Sequence, residues 1–95
     1  MPFDLVIPFS FEKKLKKLPS SIKNAAKKTL IFLSDNPRHP SLKIHKVNRA
    51  RGHFGGNVYE AYVTQKYRIT WEYGPDSGAI TLRNIDNHDE CLKQA

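Results

Sequence analysis

YEAYV at residues 59–63, YRITWEY at 67–73 and AITLRNIDNHDE at 79–90 decide the fold, because apolar and polar side chains alternate along them with a period of two. Successive strand residues point to opposite faces of a sheet. Tyr59, Ala61 and Val63, then Tyr67, Ile69, Trp71 and Tyr73, then Ile80 and Leu82, therefore line one apolar face, with Trp71 a core residue. Leu42 and Ile44, alternating with Lys43 and His45, add a further strand. The opposite face then gathers Lys43, His45, Glu60, Tyr62, Arg68, Glu72 and Arg83.

Outward from these strands the pattern changes. Gly74-Pro75-Asp76-Ser77-Gly78 reads as a hairpin connection, and Asn48 to Asn57, with Arg49, Arg51, His53 and three glycines, as a mobile basic loop. Asn84 to Ala95 reads as a polar tail with room for one turn of helix. Upstream, Phe3, Leu5 and Ile7 alternate with Asp4 and Val6, an opening strand closed by Pro8. Ser10 is placed to cap a helix carrying Phe11, Leu15 and Leu18, which Pro19 stops. Ser20 is placed to cap a second helix, whose stripe of Ile22, Ala26, Leu30 and Leu33 runs on to Asn36-Pro37. The tight connection implies an antiparallel helical pair. Both stripes need a surface to cover, so the expected fold class is α+β: two N-terminal helices packed on one face of a small antiparallel sheet.

The chain has 95 residues, enough for one domain spanning 1–95, and its 39% apolar residues suffice for a core that a partner would help to stabilise. Sixteen Lys and Arg against nine Asp and Glu give a formal charge of +7, which suits a polyanion such as nucleic acid or a strongly acidic protein. Seven lysines, at 13, 14, 16, 17, 23, 27 and 28, decorate the helices, either as a solvated face or as a phosphate dock. Cys91 is the single cysteine, so no internal disulfide forms, in keeping with a reducing cytoplasm. MPFDLVIPFSFEKK has no basic stretch ahead of its apolar residues and no long apolar run, so neither a signal peptide nor a membrane span is expected.

Cleavage of an RNA backbone requires a base for the 2′-hydroxyl, positive charge at the phosphate and an acid for the departing 5′-oxygen. Histidine serves either proton role. His88, flanked by Asp86 and Asp89, either of which can orient its ring, is the first candidate; His45 beside Lys43 is the second, with Lys43 or Lys46 acting through charge. Arg68 and Arg83 contact phosphate or form ion pairs with Glu60 or Glu72 across the sheet. Tyr62 and Tyr67 are candidates for stacking an unpaired base, and Arg51 for holding the backbone. A metal site from Asp86, His88, Asp89 and Glu90 lacks the spacing of an EF-hand loop or an H-E-x-x-H helix, and no dinucleotide or Walker A motif is present. Neither a metal nor an organic cofactor is expected.

NPRHPSLKIHKV, VYEAYVTQKYRITWEY and AITLRNIDNHDE, after a strand and two basic helices, resemble the RelE/ParE superfamily of bacterial toxins over nearly the whole chain. The resemblance implies a RelE-like two-layer fold and a toxin of a type II toxin–antitoxin system. It implies a metal-independent endoribonuclease acting on messenger RNA at the ribosome, and a cognate antitoxin bound in a hetero-oligomer. His88 is similar in position to the catalytic histidine after the last strand of YafQ-like toxins, and His45 to one in their first long strand. Arg68 resembles the arginine that steadies the phosphate in RelE and HigB. Tyr62 stands where YafQ-like toxins have a histidine, and Lys66-Tyr67 replace their Asp-Trp pair. The ParE branch of the same superfamily implies the alternative, a non-enzymatic inhibitor of DNA gyrase.

Overall fold

The computed structural model describes residues 2–88, the side chain of Arg49 excepted. A short strand β1 (Asp4–Val6) leads into helices α1 (Phe9–Lys16) and α2 (Ser20–Asp35) and a 3-10 turn at Pro40–Leu42. Strands β2 (His45–Arg51), β3 (Asn57–Tyr62), β4 (Tyr67–Tyr73) and β5 (Ala79–Asn87) follow. They form one sheet of order β1-β5-β4-β3-β2. Four strands are antiparallel, as expected; β1 joins β5 in parallel, because the two helices serve as the crossover that a parallel neighbour requires.

Both helices are capped one or two residues ahead of the serines expected to cap them. Pro8 and Pro19 occupy the N-cap positions in extended conformation, and their carbonyls accept the first helical bonds from Glu12 and Lys23 at 3.1 and 2.9 Å. The helices cover the apolar face. Phe11, Ala26, Leu30 and Leu33 meet Ala61, Ile69, Trp71, Ile80, Leu82 and Ile85 in one core, and Trp71 is 1% exposed. Outside it, Phe9 and Ile31 stand 76% and 68% exposed.

Two departures from strict alternation shape the polar face. Lys43 adopts a left-handed conformation, φ 48°, which turns Leu42 into the core and delays the strand expected from Leu42 until His45. From there β2 runs to Arg51, so the expected loop of residues 48–57 shrinks to the turn between β2 and β3. In the second departure Thr70 pairs with Asn84 and Trp71 with Leu82, so Arg83 is the extra residue of a β-bulge. The bulge shifts the phase of β5. Leu82 and Ile85 both reach the core, and the strand continues to Asn87 where a tail had been expected. Asp89, Glu90 and Cys91, with the turn of helix expected beyond β5, lie outside the described residues. Among the described residues no helix is long and apolar enough to cross a membrane.

Candidate functional site

The pairing register assembles the face away from the helices. His45 stands opposite Glu60, Glu60 opposite Thr70, Tyr62 opposite Arg68, and Arg68 opposite Asp86. Sequence alternation put His45, Glu60, Tyr62 and Arg68 on one face and left open whether its charges meet phosphate or each other. Glu60, Arg68 and Glu72 are 3%, 6% and 1% exposed. Buried charge is costly unless paired, and each of these groups is paired.

Arg68 is the organiser of one end. Its Nη1 donates to the carbonyls of Thr64 at 2.6 Å, of Tyr67 at 3.3 Å and of Gln65, closing the β3–β4 turn from within. Its Nε lies 3.6 Å from Glu60 Oε1, and its guanidinium carbon 3.6 Å from the centre of the Tyr62 ring. Lys43 Nζ approaches the same ring at 4.9 Å. Two cations thus share one aromatic ring, an arrangement that fixes the ring and concentrates positive charge beside it.

His88 closes the group. Its backbone N–H donates to Lys66 O at 2.7 Å, in the turn that Arg68 braces, and its Nδ1 lies 3.3 Å from Glu60 Oε2. The carboxylate facing it is therefore Glu60 and not its sequence neighbour Asp86, which accepts from Lys14 Nζ at 3.3 Å while Asn84 accepts from the same ammonium at 2.7 Å. Lys14 projects from α1, so one helix lysine is tied to the end of β5. Asp89, the other neighbour weighed, lies outside the described residues.

Arg83 belongs to a second pair. Its Nη1 donates to Glu72 Oε2 at 2.6 Å, and Phe54 N–H donates to Glu72 Oε1 at 3.3 Å. Burial pushes the Glu72 carboxyl up; the Arg83 hydrogen bond, the backbone N–H groups of His53 and Phe54 and the Arg83 charge outweigh it, leaving a net value below the ordinary one.

The structure therefore brings His88, Arg68, Tyr62, Lys43 and Glu60 together, with exposed His45 the strand neighbour of Glu60. Lys46 and Tyr67 do not join them. Lys46 pairs with Tyr59, and Tyr67 precedes Arg68 on β4, so alternation turns both to the other face. Arg51 lines a polar hollow of about 360 Å³ at the β2–β3 turn with Lys46 and Asn48, away from His88. Of the residues in the cluster, sequence reasoning weighed Glu60 only as an ion-pair partner of Arg68 or Arg83. Its signal was position: an acid in the centre of a strand whose neighbours are built for burial.

No family model and no curated protein sequence matches the chain. Solved structures do match its shape. RelE in the archaeal RelE–RelB complex from Pyrococcus horikoshii superposes with a TM-score of 0.72 at 17% identity, over 92% of this chain and 96% of that one. The toxin–antitoxin complex RelBE2 of Mycobacterium tuberculosis gives 0.68 at 18%, over 93% and 100% of the two chains. YafQ of Escherichia coli gives 0.67 at 15%, over 93% and 96%. At such identities the likeness concerns the fold, and the fold is that of the RelE-like toxins.

Proposed function

Starting from the RelE-like toxin fold, we propose that this protein is the toxin of a type II toxin–antitoxin system, a cytoplasmic endoribonuclease that cleaves ribosome-bound messenger RNA without a metal. The observation that carries the reading is the position of His88. Its side chain is 45% exposed at the rim of the Arg68–Tyr62–Lys43 cluster, which supplies a proton-transfer group, positive charge and a stacking ring in one place. In this reading His88 transfers a proton, Lys43 meets the phosphate, Tyr62 stacks a base and His45 assists from the neighbouring strand. Arg68 supports the site from beneath, its guanidinium field directed through Tyr62 and its hydrogen bonds fixing the turn that anchors His88. The basic helices hold RNA at longer range, whereas Arg83, expected from sequence to hold RNA, is committed to Glu72.

The reaction joins the 2′-oxygen to phosphorus and breaks the bond to the 5′-oxygen, leaving a 2′,3′-cyclic phosphate and a 5′-hydroxyl. Translating ribosomes incubated with purified protein should yield such ends, and His88→Ala should reduce their formation by at least about 100-fold, the range of a lost proton-transfer group. Equal cleavage by both proteins removes His88 from the mechanism. A cognate antitoxin is part of the proposal: an acidic segment that orders on binding suits a chain of net charge +7.

A second reading, a non-enzymatic toxin of the ParE kind that blocks DNA gyrase, draws on the burial of Arg68 and Arg83 in ion pairs. It expects growth arrest with intact messenger RNA and inhibited supercoiling.

A further inference from the structure

We infer that Glu60 is the positioning residue for His88: its carboxylate holds the imidazole as the Nδ1–H tautomer and leaves Nε2 as a proton acceptor on the open side of the ring. The inference rests on the reading of His88 as the proton-transfer group and adds what prepares it for that task.

Glu60 sits in the middle of β3, 3% exposed, between Arg68 and His88. Oε1 faces the guanidinium at 3.6 Å and Oε2 faces His88 Nδ1 at 3.3 Å. Oε2 and Nδ1 are both shielded from solvent, and neither has a hydrogen-bond partner among the described residues. Two orphaned polar atoms in reach of each other are satisfied together by a slight rotation of the ring. The direction of that bond follows from charge. A carboxylate can only accept, so the ring nitrogen facing it carries the proton.

A neutral imidazole has one N–H, so Nε2 then bears the lone pair. The side chain is 45% exposed while Nδ1 itself is buried, so Nε2 is the nitrogen left for a substrate. The anchor of His88 N–H on Lys66 O at 2.7 Å keeps the ring over Glu60. In the cleavage step Nε2 takes the 2′-hydroxyl proton as the 2′-oxygen bonds to phosphorus. The bond from phosphorus to the 5′-oxygen breaks, and the leaving oxygen receives a proton from the Lys43 ammonium or from water. The positive charge that forms on His88 is met by Glu60, whose other oxygen stays with Arg68. Among the described sequence neighbours, Asp86 does not do this, since it is turned to Lys14.

Long-range proton–nitrogen correlation spectra of the full chain without RNA, recorded along a pH series until the ring signals stop shifting on the basic side, read the tautomer of the neutral ring directly. A His88 ratio of about ten to one or more in favour of Nδ1–H is expected, the preference that a charge-assisted hydrogen bond supports. A spectrum dominated by Nε2–H overturns the inference in the unmodified protein, with no variant required. Glu60→Gln should abolish the preference and lower kcat by about 10- to 100-fold with little change in KM, as loss of an orienting partner does. An unchanged tautomer in that variant also overturns it. Because the tautomer is read without RNA, a protein with the expected spectrum that leaves messenger RNA intact refutes the nuclease reading alone.

Discussion

Arg83 Nη1 donates to Glu72 Oε2 at 2.6 Å across β4 and β5, and the bulge at Arg83 is what lets its side chain reach a carboxylate that is 1% exposed. Removing the guanidinium strands a buried charge. Arg83→Met should therefore destabilise the fold by about 3–5 kcal/mol in urea denaturation, the cost of breaking a buried pair from one side. Replacing both partners by apolar residues should recover much of that loss; no recovery would show that the pair is not the source.

The same pair sets a pH dependence. The Glu72 carboxyl titrates below its ordinary value of 4.5 in the folded state, so it contributes stability above that value and loses it as the pH falls through the lowered one. Wild type should exceed Glu72→Gln in stability near neutral pH, and the gap should narrow as the pH drops below about 4. A gap that stays constant down to pH 2 would place the linkage elsewhere.

Gly52 supports Glu72 from below. A methyl group there would collide with Glu72 Oε1 and come within 3.3 Å of Gly56 O, while the Glu72 side chain is held by Arg83 and by the Phe54 N–H. Gly52→Ala should cost about 1–3 kcal/mol, the range for inserting a carbon into a packed site. In a Glu72→Ala background the cost should largely vanish, and a double-mutant cycle measures that coupling.

The strands and the helix pair were legible because their periods, two and about 3.6, follow from how side chains leave the backbone. Polar residues at alternate positions gave the grouping of His45, Glu60, Tyr62 and Arg68 without any knowledge of their neighbours. What alternation could not give was a break in its own rule. The bulge at Arg83 and the left-handed Lys43 are decided by packing of Ile85 and Leu42, residues whose partners lie far along the chain. The contact between Glu60 and His88 likewise depends on register across two strand pairings, so sequence proximity pointed to Asp86 instead, a carboxylate that Lys14 takes.

Arg68 acts through geometry that an ammonium cannot copy. One nitrogen serves three carbonyls of the β3–β4 turn while another faces Glu60 and the plane covers Tyr62. Arg68→Lys keeps the charge and loses the fork, so it should destabilise the fold by about 2–3 kcal/mol, more than a surface change of this kind. Amide exchange at His88, bonded to Lys66 O in that turn, should quicken in parallel. A stable Arg68→Lys protein with a protected His88 amide would mean that the turn holds without the guanidinium.

Lys43 differs from Arg68 in being exposed, with its ammonium 4.9 Å from the Tyr62 ring and in reach of a ligand. If it meets a phosphate, Lys43→Ala should weaken binding of single-stranded RNA and reduce the dependence of log affinity on log salt by about 0.7, the share of one phosphate contact on a single strand. Tyr62→Ala should instead weaken binding by about 1–3 kcal/mol, the value of one stacked base, while leaving the salt dependence nearly unchanged. The two variants separate charge from stacking because only the first releases a counterion. Filter binding across a salt series distinguishes them, and equal salt slopes for Lys43→Ala and wild type would place the phosphate away from Lys43.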